Sequence, residues 1–97
     1  MKERAKRGEN AIKALKTMKN YKNLSTRVKA QYNISYLYYN DVLIARHEKN
    51  ESMRVRVPQL TPEIVGLISL INPKIKLIDG KLYIGDVEWD GNWIDLL

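Results

Sequence analysis

Between Glu9 and Tyr21 apolar residues recur at spacings of three and four. Ala11, Ala14, Leu15, Met18 and Tyr21 fall on one stripe, with Lys13, Lys16 and Lys19 around it, and predict an amphipathic helix. Alone in water a helix of this length is marginal, so it must dock on the chain or on a partner. After Asn23 the period changes to two. Leu24 to Ala30 alternates Leu, Thr, Val and Ala with Ser, Arg and Lys, the pattern of a half-buried strand. Gln31-Tyr32-Asn33 suits a turn. Ile34 to Tyr39 and Val42 to His47 predict a hairpin around Asn40-Asp41, residue types that accept the positive φ of a type I′ turn. Ser52 to Val57 sets Met53, Val55 and Val57 against Arg54 and Arg56, and Pro58 ends that strand.

The segment LTPEIVGLISLINP carries the clearest helix signal. Thr61 is an N-cap residue, Pro62 fits the first turn, and Glu63 complements the positive end of the dipole. Asn72-Pro73 stops it. Ile64, Leu67, Ile68 and Ile71 share a face that Val65 and Leu70 widen. Lys74 to Ile78 and Lys81 to Ile84 predict a second hairpin through Asp79-Gly80, and DVEW-DG-NWID a third around Asp90-Gly91. The expected fold is α+β: an antiparallel sheet of meander and hairpins packed with a basic N-terminal helix and a central helix near residues 61–71.

The 97 residues suit a single domain, here divided into a flexible basic arm, 1–8, and one α+β domain, 9–97. Charge is uneven. Residues 1–31 hold ten Lys/Arg against Glu3 and Glu9, whereas residues 32–97 hold seven against nine acids, leaving the net +6. With no cysteine, thiolate catalysis and cysteine-ligated zinc are excluded. The longest apolar run, IVGLISLI, is too short to span a bilayer, and the basic N-terminus lacks the apolar core of a signal peptide. These features point to a cytoplasmic protein.

The run LYYNDVLIARHEKN, followed by a strand, a helix opened by Thr61-Pro62 and a tryptophan-containing segment at Val87-Glu88-Trp89, resembles small accessory proteins of tailed bacteriophages. The Ile44-Ala45 pair occupies the matching strand, and the resemblance spans roughly residues 24–93. It implies a non-enzymatic early or anti-host protein, acting in the bacterial cytoplasm on a host protein or a protein–nucleic acid complex. It supplies no site residues.

Candidate sites come from the residues themselves. Tyr36, Tyr38 and Tyr39 read first as core, with an interface or base-stacking role as alternatives. The basic run admits a solvated arm, an arm that contacts phosphates, or one that docks on an acidic surface. Arg4, Lys6, Arg7, Lys13, Lys16 and Lys19 are its candidate contacts, with Trp89 and Trp93 as aromatic anchors. Contact between the acidic C-terminal stretch and the basic arm of another copy would give a homo-oligomer.

Catalysis has little footing. His47 is the only histidine and reads as a surface residue, Asp86 and Glu88 lie among turn residues, and no phosphate-binding glycine loop occurs, so no cofactor, metal or enzymatic activity is expected. The leading expectation is a protein that inhibits or modulates a host nucleic-acid-handling or defence protein through the basic helix and an aromatic patch. The alternative is a nucleic-acid-binding module that uses the basic helix with Arg54 and Arg56.

Overall fold

The structure is a computed structural model that describes residues 2–49 and 53–96. Helix α1 spans Lys2–Thr17, followed by strands β1 (Tyr21–Asn23), β2 (Thr26–Gln31), β3 (Ile34–Tyr39), β4 (Val42–Glu48) and β5 (Met53–Val55). Helix α2 (Pro62–Ile71) leads to β6 (Ile75–Ile78), β7 (Lys81–Ile84), β8 (Val87–Glu88) and β9 (Ile94–Asp95). The strands form two antiparallel sheets, six-stranded in the order β1-β2-β3-β4-β5-β9 and three-stranded in the order β6-β7-β8. The fold is α+β.

The first helix lies earlier than its apolar stripe suggested. Its backbone runs through residues 2–8, the stretch assigned to an arm, and stops at Thr17. Met18 takes a φ of 57°, and the Lys19 and Met18 amides donate to the carbonyls of Ala14 and Leu15 at 2.9 and 3.4 Å. This is a Schellman closure without its usual glycine. Tyr21, counted with the helix, instead begins β1, and the strand expected over 24–30 begins at Thr26 after a turn through Leu24 and Ser25. Leu24 holds a φ of 50° with its side chain 76% exposed. Left-handed backbone costs a residue with a Cβ about 1–2 kcal/mol. Leu24→Gly is therefore expected to raise stability by roughly 0.5–1 kcal/mol after the extra unfolded-state entropy of glycine, read as a higher urea midpoint at unchanged slope. A lower midpoint would refute that account.

One face of the large sheet forms the core with both helices. Residues directly opposite on antiparallel strands share a face, and the row Tyr21–Val28–Leu37–Ala45–Val55–Ile94 runs across all six strands. Leu37, Ala45 and Val55 in it are fully buried. From α1, Ala11, Ile12, Ala14 and Leu15 pack here, and α2 adds Ile64, Val65, Leu67 and Ile68. The buried Ser35 hydroxyl donates to the Leu15 carbonyl at 2.5 Å, fixing α1 on this side of the sheet. A bulge between Leu37 and Tyr38 leaves Ile44 without an opposite residue, and both Ile44 and Ala45 turn inward and are fully buried.

The second helix follows its sequence signals: Thr61 Oγ1 accepts from the Ile64 amide at 3.3 Å, and Asn72 closes the other end. The hairpins at Asn40-Asp41 and Asp79-Gly80 also form, with positive φ at all four residues. The third hairpin does not. Val87–Glu88 pairs with β7, whereas Ile94–Asp95 crosses to the large sheet and pairs with β5. Between them Gly91 lies against the backbone of Val57, whose amide donates to the Gly91 carbonyl at 2.8 Å. Strand β5 begins at Met53 and ends at Val55; Ser52, the expected first residue, lies outside the described residues.

Candidate nucleic-acid interface

Among the described residues no helix packs on the other face of the large sheet. Lys29–Tyr36–Arg46–Arg54–Asp95 forms one continuous row across it, and Lys22–Arg27 and Tyr38–Leu43 are pairs beside that row. No residue in this set is buried. The strand pattern is one cause: β2 sets Val28 and Ala30 on the helix side against Arg27 and Lys29, β5 sets Met53 and Val55 against Arg54, and on β3 Tyr36 and Tyr38 fall opposite to the buried Ser35 and Leu37.

The open face is organised around aromatic rings. Tyr36 and Tyr38, two residues apart on β3, set their rings 6.5 Å apart at an interplanar angle of 46°. The Arg27 guanidinium lies 5.1 Å from the Tyr38 ring centre, and Arg56 lies 5.0 Å from that of Trp93. Arg56 Nε also donates to the Leu43 carbonyl at 2.7 Å, which holds the guanidinium in place. Such cation–π contacts contribute about 0.5–1 kcal/mol at exposed sites.

The acids are unevenly placed. Arg46 is ion-paired with Glu48, and its Nε is buried without a hydrogen-bond partner. Asp95 stands opposite Arg54 in the β5–β9 register. On the β1–β2 side, Lys22, Arg27 and Lys29 are exposed, and Asp41, itself 90% exposed, lies 3.8 Å from Arg27. There, a shallow groove between Asn20 and Gln31 runs along β1 and β2.

The predicted site residues do not converge. Arg54, Arg56 and Trp93 share the open face, with Trp93 41% exposed. Lys13 and Lys16 sit on the far side of the sheet, in a groove between the helices with Glu9, Ile12, Thr17 and Leu70. Lys19 lies beyond the helix end rather than on its flank. The side chains of Arg4, Lys6 and Arg7 lie outside the described residues. Trp89 packs against the core, and its Nε1 donates to the Asn92 carbonyl at 3.1 Å, so it is a structural residue rather than a presented anchor. Of the tyrosines read as core, Tyr39 packs against it, but Tyr36 and Tyr38 stand on the open face. His47, read as a surface residue, is half-buried on the helix side, opposite Ser35 and Met53. Arg27, Lys29 and Arg46 were missed. Their strand alternation was visible, but the register that joins them to Tyr36 and Tyr38 was not.

Among the described residues no group of three or more His, Asp or Glu is placed to hold a metal ion, and no helix is long and apolar enough to cross a membrane. Fold and face together define a small α+β module with an uncovered basic-aromatic sheet. Compared with known proteins, the chain matches no family model, no curated protein and no solved structure.

Proposed function

We propose that this protein binds single-stranded nucleic acid on the open face of its large sheet. The observation that carries this reading is the side-by-side placement of Tyr36 and Tyr38, with cations on the strands to either side. A base stacked on an aromatic ring contributes about 1–3 kcal/mol without regard to its identity, and a duplex offers no free base faces to such a platform. Lys and Arg nearby neutralise phosphates and release counterions, which makes affinity depend on salt.

Fluorescence polarisation with labelled oligonucleotides tests the proposal. Single-stranded DNA or RNA is expected to bind with a log–log salt slope between about −2 and −4, set by roughly −0.7 per phosphate contact. Duplex of equal length is expected to bind at least ~10-fold more weakly, for want of stacking. A flat salt dependence, or equal affinity for duplex, discards the reading.

The groove between the helices favours a second reading, an acidic protein surface docking on α1. Lys13 and Lys16 flank Leu70 there, which is 41% exposed. Under that reading Lys13→Glu with Lys16→Glu abolishes capture of the partner and leaves oligonucleotide binding unchanged.

A further inference from the structure

We infer that the nucleic-acid strand runs along β3, with successive bases on Tyr36 and Tyr38 and its phosphates over the β1–β2 side of the sheet. This rests on the binding reading above and adds a path and polarity of charge to it. Both rings belong to one strand, so a line through them follows β3 and does not cross the sheet. Their 6.5 Å separation is about twice the ~3.4 Å rise of a stacked strand. Bases held there are unstacked from one another, each lying on its own ring, as in an extended chain.

Charge chooses the side on which the phosphates lie. Toward β4, β5 and β9, Arg46 is occupied by Glu48, Arg54 faces Asp95, and Arg56 is tethered by its hydrogen bond to the Leu43 carbonyl. Toward β1 and β2, exposed Lys22, Arg27 and Lys29 line an open groove, with Asp41 3.8 Å from Arg27. Lys29 is directly opposite Tyr36, and Arg27 directly opposite Tyr38, so each ring has one cation beside it in register. That is a repeating unit of one ring and one cation per nucleotide. A base that stacks on Tyr38 displaces the Arg27 guanidinium from the ring toward the adjoining phosphate.

The test combines ultraviolet cross-linking with salt titration on the full chain. Oligonucleotides carrying one photoreactive base, moved a position at a time, are cross-linked and the peptides identified by mass spectrometry. Neighbouring positions are expected to report Tyr36 and Tyr38. Lys22→Ala and Lys29→Ala are each expected to flatten the salt slope by about 0.7, while Arg54→Ala leaves it unchanged. Neighbouring positions that cross-link to β3 and then β5, or an Arg54→Ala slope change equal to that of Lys29→Ala, overturn the path. Wild-type protein with no salt-dependent binding of single strands defeats the functional reading itself, a separate outcome.

Discussion

Gly91→Ala is expected to lower folding stability by about 2–5 kcal/mol, the sum of a left-handed backbone penalty and overpacking against fixed atoms. Gly91 has a φ of 85°, and a Cβ there would meet the Val57 carbonyl oxygen at 2.5 Å and its carbon at 3.5 Å. Neither side can give way easily. Val57 is buried, and its amide is bonded to the Gly91 carbonyl, so separating the two backbones also breaks that hydrogen bond. Domains of this size have roughly 5–15 kcal/mol in all, so a sizeable unfolded fraction should be detectable at moderate temperature. Gly80→Ala is the control, because Gly80 has a φ of 76° but nothing within 4 Å of its Cβ position. It should lose only about 1 kcal/mol. Urea unfolding that ranks the two variants equally would show that the Val57 contact is not the cause.

The second large effect concerns binding. Tyr36→Ala with Tyr38→Ala removes both rings of the platform, and at about 1–3 kcal/mol per stacked base the affinity for single strands should fall ~30-fold or more. Cross-strand neighbours on a sheet contribute roughly 0.2–1 kcal/mol per pair, so the variant should still fold. Tyr36→Phe with Tyr38→Phe separates stacking from structure: it keeps both π faces and should bind within about threefold of wild type. Polarisation titrations at one fixed salt concentration decide it. If the alanine pair binds as wild type does, or the phenylalanine pair loses as much as alanine, stacking on these rings is not the source of affinity.

How far the sequence disclosed the fold depended on whether each signal was local. Thr61, Pro62 and Asn72 act within a turn of α2, and Asp79-Gly80 within two residues, so both elements stood where their chemistry put them. The end of α1 did not, because Met18 fills a left-handed position usually given to glycine. Asp90-Gly91 misled for a different reason. Asp90 spends its carboxylate on Asn92, accepting from the backbone amide at 3.0 Å and the side-chain amide at 2.9 Å, while Gly91 serves a contact with residue 57. No local pattern encodes that crossing.

The site divides the same way. Arg54 and Arg56 could be assigned to one strand face from alternation alone. The inward face of β3 could not, since the more polar set, Ser35, Leu37 and Tyr39, is the one that turns inward. The Ser35 hydrogen bond to Leu15 allows a hydroxyl there, and a bond between residues twenty apart leaves no periodic trace. With that face fixed, Tyr36 and Tyr38 must point outward.

The excursion between β5 and β9 leaves and returns at one point, where Val57 meets Gly91, and contains α2 and the whole of the small sheet. Its Asp79-Gly80 turn is exposed on both residues and joins strands that belong wholly to that excursion. Exposed tips of this kind tolerate added chain well. A fluorophore-bearing loop or an affinity peptide spliced in at that tip is expected to leave the pairing of the six-stranded sheet as it is.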